Sequence, residues 1–268
     1  MSKTKAGNGS KKKNGQRPFL KGITYQSRAQ DKASDNKRYS QWLCSSNGEC
    51  NKTEEHTSSP HDYWRIFRIM AEFIDGFEFL SKLKQEVTFY GSTRAPKTGR
   101  YYKMAVELGK LCAEHGYTVI TGGGPGIMEA GNKGAFEAGG ESIGLDIQLP
   151  TEQRRNDYVT NAIGFHYFFT RKVMLSASSQ AYVFFPGGFG TLDEATEMLV
   201  LVQTGKIPPN VPCIFIGKDY WQPFLKWIET TVLKKNGFIK KEDLALIRLV
   251  DSPKEAFEII KTTVERSV

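Results

Sequence analysis

The chain lacks the long apolar runs, signal sequences and cysteine frameworks that would assign it to a membrane or secreted class. None of its 268 residues fall in an apolar run of 18 or more, which excludes a predicted transmembrane helix. No apolar segment follows the first lysines, so we expect no secretory signal and a cytoplasmic protein. Four cysteines are too few for a disulfide framework in a chain of this size.

Two of those cysteines raise the question of a metal site. Cys44 and Cys50 are followed by His56 and His61, in the spacing C-x5-C-x5-H-x4-H. This spacing is looser than that of structural zinc sites, and an irregular polar linker is the favoured interpretation. No metal is predicted.

The net charge of +8 is concentrated at the N-terminal end of the chain. Residues 1–40 hold 11 Lys and Arg against Asp31 and Asp35, a net +9, so the remaining residues carry about −1. We therefore predict a basic, largely disordered extension at 1–60 and a folded domain at 61–268. The extension could add weak, non-specific affinity for nucleic acid. The folded part lacks the interleaved basic and aromatic residues of an RNA-binding domain.

After Pro60 the apolar pattern alternates between helical and strand-like segments. Near-continuously apolar strands that alternate with helices predict a parallel sheet covered on both faces. The fold class is therefore α/β, a doubly wound Rossmann-like sheet with helices on both faces. Predicted strands lie at 87–92, 117–124, 142–149, 181–185 and 212–217; predicted helices lie at 62–83, 99–115, 126–139, 166–179, from about Thr191 to about 203, 219–235 and 253–265.

Three predicted strands end in turns that contain glycine: "YGSTR", "TGGGPG" and "PGGFGT". Glycine lets backbone N–H groups approach a ligand closely, and a helix that begins after such a turn adds unpaired donors. Ligands of open parallel sheets bind at the carboxyl ends of the strands. Each turn could be only a tight connection, but three at one edge predict a phosphate site.

The two familiar phosphate motifs are both absent. G-x-G-x-x-G requires a glycine three positions after Gly124 or Gly126, where Ile127 and Glu129 stand. The P-loop requires lysine after Gly131, where Asn132 stands. Neither a dinucleotide nor a triphosphate signature is therefore present.

Charged side chains flank the third turn. Glu194 is predicted in the first turn of its helix, where it could cap the helix dipole or, beside a sugar phosphate, do chemistry. Asp193 is expected only to cap. Arg171 and Lys172 bring two cations to the same edge, but adjacent helical residues point about 100° apart, so we expect one of them to face the ligand. Both could otherwise form a solvated basic face.

The segments "GGGPGIMEA", "FFTRK" and "PGGFGTLDE" resemble the LONELY GUY (LOG) family of cytokinin riboside 5′-monophosphate phosphoribohydrolases. The resemblance covers about 85–235. It implies a homo-oligomeric hydrolase that splits the N-glycosidic bond of a nucleoside 5′-monophosphate into free base and ribose 5-phosphate, without a cofactor. Arg171 and Glu194 would be catalytic, with Glu194 orienting water or stabilising a ribosyl cation. The implied nucleotide- and phosphate-binding residues are Gly91, Ser92, Gly122, Gly123, Gly124, Gly126, Met128, Glu129, Lys172, Gly187, Gly188, Gly190 and Thr191.

Some relatives carry the label "possible lysine decarboxylase", which implies pyridoxal phosphate. No His-Lys pair, the usual setting of a Schiff-base lysine in such decarboxylases, occurs in the chain, so we reject that label.

Three departures from compact plant-type members leave the base open. The chain has about 80 residues before its first predicted core strand, "YGSTR" in its first turn and a longer loop, "PTEQRRNDYVTNAIG". Cytokinin nucleotides are one option, and ordinary AMP, GMP or pyrimidine monophosphates, which we favour, are another. The alternative function is a non-catalytic nucleotide-binding or molybdenum-cofactor carrier protein on the same fold. Arg171 and Glu194 favour the enzyme.

Overall fold

The computed structural model describes residues 60–148 and 155–266, whose core is a seven-stranded parallel sheet. The helices are α1 (Pro60–Leu80), α2 (Arg100–Glu114), α3 (Ile127–Glu137), α4 (Phe168–Ala177), α5 (Phe189–Gln203), α6 (Lys218–Trp227) and α7 (Pro253–Ile260), with a π-helix at Ile228–Lys235 and a 3-10 helix at Lys241–Leu246. The strands are β1 (Glu86–Tyr90), β2 (Thr118–Thr121), β3 (Ser142–Ile147), β4 (Asn161–Phe165), β5 (Ala181–Phe184), β6 (Cys213–Ile216) and β7 (Ile247–Val250).

The strand order is β4-β3-β2-β1-β5-β6-β7, and every neighbouring pair is parallel. The chain builds outward from β1 to β4 and then crosses back to place β5 on the other side of β1. The strand order therefore reverses between β1 and β5. In doubly wound sheets such a reversal opens a crevice at the carboxyl ends of the strands, where ligands bind.

Two apolar cores cover the sheet, one on each face. Alternation along β1 sends Phe89 into one core, with residues of α2, α3 and α7, and Tyr90 into the other, with residues of α4, α5 and α6. All five residues of β1 are buried. This two-sided burial explains why the central strands have nearly continuous apolar sequences, and it confirms the predicted fold class.

The five predicted strands and all the predicted helices are present, but two strands were missed. Both are edge strands: β4 is partly exposed along most of its length, and β7 carries an exposed arginine, Arg248. Edge strands do not need a continuous apolar sequence, so their signal was weak. The predicted start of α5 near Thr191 was also wrong, because the helix begins at Phe189.

Several predictions concern residues outside the described part of the chain. The basic extension lies outside it apart from Pro60, and so do Cys44, Cys50 and His56. The longer loop is described only from Arg155 onward. No helix in the described ranges has the length and apolar character to cross a bilayer.

Candidate active site

The three glycine-containing turns meet at the carboxyl end of β1. Because β1 pairs with β2 on one side and with β5 on the other, the turns that follow these strands are neighbours. Ser92 N donates to Pro186 O (3.0 Å) and Ser92 O accepts from Ile127 N (3.0 Å). The structure thus brings the predicted phosphate-binding residues together: Gly91 and Ser92 in the first turn, Gly122, Gly123, Gly124 and Gly126 in the second, and Gly187, Gly188, Gly190 and Thr191 in the third and the start of its helix.

The second turn packs too closely for side chains. Gly126, the residue before α3, has φ +70°, and a Cβ there would overlap the Ser92 carbonyl. A Cβ at Gly122 would overlap the Arg171 guanidinium and crowd Met128 Sδ. The glycines therefore have a packing role that is independent of any ligand.

A buried polar network holds the second turn in place. Asn132 Oδ1 accepts from Thr121 Oγ1 (2.6 Å) and from Asn156 Nδ2 (3.0 Å). Asn156 Nδ2 also lies 3.0 Å from Gly123 O and 3.1 Å from Gly124 O. These contacts satisfy carbonyl groups that the turn leaves unpaired. Neither asparagine was predicted as a site residue, because their positions match no phosphate motif.

The third turn leads into a helix whose N-terminus has no side-chain cap. Gly188 is the residue before α5, and it contributes no capping side chain. Gly188 and Gly190 face open space, and Phe189 is 93% exposed. The first amides of α5, like those of α3 after Gly126, have no partner within their own helices. Two helix N-termini with partial positive charge therefore flank β1.

Arg171 belongs to the first turn of α4, and its side chain lies against Gly122 of the second glycine turn. Its Nε donates to Leu145 O (2.6 Å), which fixes the guanidinium against Gly122. Burial lowers the Arg171 pKa, and the negative charges of Glu194 and Asp146 oppose that effect. An arginine remains protonated in such a setting, so Arg171 places a partly buried positive charge against Gly122 of the second turn, which precedes α3.

Lys172 contacts acidic side chains of α5. Its Nζ lies 2.6 Å from Asp193 Oδ2 and 3.3 Å from Glu197 Oε2. The prediction that Asp193 only caps a helix start was wrong, because Asp193 lies in the second turn of α5 and pairs with Lys172. The adjacent cations thus have different partners, as their 100° separation predicts.

Glu194 also lies in the second turn of α5, because the helix begins two residues earlier than predicted. The dipole explanation for this acid is weakened, since that effect fades beyond the first turn. Its Oε2 is buried without a hydrogen-bond partner. Burial raises the Glu194 pKa to about 7; the positive charges of Lys172 and Arg171 lower it, and the neighbouring Glu197 raises it. A carboxyl group with this pKa can both give and accept a proton at neutral pH.

Two other predicted residues lie beside the second turn. Met128 Sδ lies close to Gly122, 2.8 Å from where a Cβ of that residue would stand. Glu129 is buried, with Oε1 2.6 Å from Lys97 Nζ and 3.0 Å from the Tyr102 hydroxyl. Its carboxylate therefore links α3 to Lys97, in the segment that follows β1, and to Tyr102 on α2. Both contacts are to side chains of the chain itself.

Asp146 and Glu197 complete the charged surroundings and were not predicted. Asp146, on β3, pairs through Oδ2 with Arg155 Nε (2.5 Å), while its Oδ1 is buried without a hydrogen-bond partner. Burial raises the Asp146 pKa, although Arg155 and Arg171 oppose the effect. Glu197 follows Glu194 by three residues, so helical spacing could have placed both on one face.

Comparisons with known proteins find a family model and several relatives similar to this chain. A family model described as "Possible lysine decarboxylase" matches residues 128–260. A probable cytokinin riboside 5′-monophosphate phosphoribohydrolase of Oryza sativa subsp. japonica is 28% identical over 180 residues, 66% of this chain and 72% of the relative. The cytokinin riboside 5′-monophosphate phosphoribohydrolase of Rhodococcoides fascians is 25% identical over 159 residues, 58% of this chain and 78% of the relative.

Two solved structures resemble this chain. The molybdenum cofactor binding protein of Rippkaea orientalis is 26% identical and covers 66% of this chain and 94% of its own, with a TM-score of 0.48. The molybdenum cofactor carrier protein of Chlamydomonas reinhardtii is 24% identical and covers 66% and 96%, also with a TM-score of 0.48.

The decarboxylase description does not fit the lysine at this site. A Schiff-base lysine must lose its proton easily. Burial acts to lower the Lys172 pKa, but the hydrogen bond to Asp193 and the charges of Glu194 and Glu197 outweigh burial and raise it. Lys172 is therefore unsuited to form a Schiff base with pyridoxal phosphate. By sequence, the chain is a relative of the LONELY GUY (LOG) family, which confirms the resemblance predicted from its motifs.

Proposed function

We propose that this protein hydrolyses the N-glycosidic bond of a nucleoside 5′-monophosphate and releases a free base and ribose 5-phosphate. The observation that carries the proposal is the position of Glu194, a largely buried carboxyl group with a pKa of about 7 in the second turn of α5, a helix that begins without a side-chain cap. The names of the relatives support the same reaction class.

The phosphate binds, in this proposal, at the turns on either side of β1. Backbone amides at the start of α5, and those that follow Ile127 in α3, donate to its oxygens, and both helix dipoles favour its negative charge. The open space at Gly188 and Gly190 leaves room for a phosphate to approach the backbone. Arg171, whose guanidinium lies against Gly122, supplies a fixed positive charge beside the second turn.

Hydrolysis breaks the bond between the ribose C1′ and the base nitrogen. The bonding electron pair leaves with the base, and a positive charge develops on C1′ and the ring oxygen. Water adds through its oxygen to C1′, and its released proton ends on the base. No redox partner is required, since one water molecule balances the reaction.

Glu194 serves this step in its ionised form by stabilising the positive charge or by orienting the water. It then accepts a proton from the water and passes that proton to the departing base. A pKa of about 7 suits this exchange, because neither protonation state is strongly disfavoured at neutral pH. In this proposal Lys172 acts through Asp193 and Glu197, with which it pairs, so it affects the carboxyl group more than the phosphate.

We further propose that the substrate range includes ordinary purine monophosphates as well as cytokinin nucleotides.

We also propose that the protein is a homo-oligomer. Exposed apolar side chains repeat along α1 at helical spacing, including Trp64, Phe67, Met70 and Ile74. A stripe of this kind on a soluble domain marks a contact surface, and a second copy of the chain would cover it.

The test incubates the full chain with AMP, GMP, pyrimidine monophosphates and isopentenyl-adenosine monophosphate, and measures free base by chromatography. Glu194→Ala and Arg171→Ala should each lose at least about a hundredfold in turnover, the scale of removing a proton-transfer group or a charge-stabilising donor. The matched nucleosides, which lack the phosphate, should react far more slowly.

Release of base by wild type and its loss in the variants supports the proposal. No release from any substrate, with tight nucleotide binding retained, would overturn it in favour of a nucleotide or phosphorylated-cofactor binding protein.

A further inference from the structure

The N-terminal helix α1 places a carboxylate at the start of α4, the helix that carries Arg171 and Lys172. Glu72 Oε1 accepts from the backbone N–H of His166 (2.7 Å), and Oε2 accepts from the Thr170 hydroxyl (2.5 Å). Glu72 Oε2 also lies 3.4 Å from Tyr167 N, at the position immediately before α4. One side chain therefore contacts three groups across the entry to this helix.

The carboxylate bridges the residues just before α4 and the first turn of that helix. Tyr167 precedes α4 and contributes no capping side chain, while Glu72 accepts from the backbone N–H groups of His166 and Tyr167 and from the Thr170 hydroxyl. A negative charge at a helix N-terminus is also favoured by the helix dipole. Glu72 is 94 residues away from His166 in the chain, so only the tertiary structure brings this cap into place.

Close packing holds Glu72 in position. At Gly76, one helical turn later, a Cβ would overlap Met174 on α4 and crowd Phe165 at the end of β4. Leu80, at the end of α1, is 1% exposed in the same core. On the other side of Glu72, the Arg65 guanidinium lies 5.8 Å from the centre of the Tyr167 ring. The carboxylate is therefore anchored to the sheet through α1.

We propose that Glu72 is a positioning residue of the active site, which fixes the first turn of α4 and, through it, Arg171. Arg171 belongs to that turn, and its backbone N–H donates to Tyr167 O (3.3 Å). Thr170, the residue before it, bonds Glu72 directly. A loosened first turn would move the guanidinium away from Leu145 O and Gly122, and transition-state contacts are lost with small displacements.

This inference rests on the proposed function for its kinetic readout, and it extends the site beyond the segment that resembles the LOG family. The family-like segment begins at about residue 85, whereas Glu72 lies on the preceding helix. The helix before the core would thus be part of the catalytic apparatus rather than an appendage.

The experiment compares full-length wild type with Glu72→Ala, Glu72→Gln and the matched control Glu78→Ala. Glu78 lies on the same helix, and its exposed carboxylate pairs only with nearby Lys82 among the described residues. We expect Glu72→Ala to lower kcat about five- to tenfold with a smaller change in KM, the scale of a lost helix cap. Hydrogen exchange of the amides at 166–171 should accelerate, Glu72→Gln should restore part of both properties, and Glu78→Ala should match wild type.

If Glu72→Ala does not fold, Thr170→Val removes one contact of the same cap at nearly constant volume, and it should lower kcat by a smaller factor. Wild-type kcat and KM in Glu72→Ala, despite faster exchange at 166–171, would show a purely structural cap and overturn the inference. If wild type releases no base, the proposed function fails, and AMP affinity becomes the deciding measurement. A five- to tenfold weaker AMP affinity in Glu72→Ala would then support positioning, and an unchanged affinity or no AMP binding by wild type would overturn it.

Discussion

Replacing Glu194 with glutamine should make the protein more stable at high pH, because burial disfavours the ionised form that this carboxyl group must then adopt. The side chain lies on the second turn of α5 with one oxygen buried and unpartnered. Burial raises its pKa from 4.5 to about 7. Glutamine has nearly the same shape and carries no charge at any pH, so the substitution removes the free-energy cost of burying a charged carboxylate.

The magnitude and sign follow from proton linkage. Between pH 4.5 and about 7 the native chain binds a proton at Glu194 that the unfolded chain has already released. Wild-type stability therefore falls as pH rises through this interval and changes no further above it. Each pKa unit corresponds to about 1.4 kcal/mol, so the rise from 4.5 to about 7 lowers the free energy of unfolding by about 3 kcal/mol above pH 7. Glu194→Gln should thus be close to wild type at pH 5 and up to about 3 kcal/mol more stable at pH 8.

The assay is urea unfolding of both chains at pH 5, 6, 7 and 8, with the difference in unfolding free energy plotted against pH. Glu86, whose pKa burial also raises to about 7, is present in both chains and cancels in the difference. Glu107→Gln on the exposed face of α2 is the control for removing a carboxylate. A difference that stays constant from pH 5 to pH 8 would refute the argument that Glu194 is destabilised by burial.

Other substitutions probe the neighbouring features. Gly126→Ala should destabilise the protein by at least about 1–2 kcal/mol, because φ is +70° there and a Cβ would overlap Ser92 O; an unchanged Tm would contradict this. Glu197→Gln removes a negative charge that raises the Glu194 pKa, so the acidic limb of the kcat–pH profile should move to lower pH; a move to higher pH would be inconsistent with this. Deleting residues 1–57 should leave turnover of small nucleotides unchanged, because every described site residue and Glu72 follow that segment; a large loss would assign the extension a role in the site.

Pattern alone was enough for much of the fold. Near-continuous apolar strands that alternate with helices predicted the parallel sheet, because strands buried on both faces need apolar residues at every position. The edge strands β4 and β7 were missed since they lack this constraint. The glycine turns were found because glycine readily adopts a φ of +70° and, without a Cβ, allows the close approach seen at Gly122.

The charged surroundings of the site depended on tertiary structure. Nothing in the local sequence pairs Arg171 with Leu145 O or Asn156 with the Gly123 carbonyl, since these contacts join residues far apart in the chain. The raised pKa of Glu194 likewise arises from burial, which the sequence around it does not reveal.

The amino-acid sequence by itself determined the sheet, the three turns and the acid and base residues near them, because backbone preference and burial pattern are local properties. Only the tertiary structure decided which of these residues share an environment. It paired Lys172 with Asp193 and Glu197, left a Glu194 oxygen buried without a partner, and brought Glu72 to the start of α4. Electrostatic energy depends on distance and on exclusion of water, and both are set by packing between distant segments.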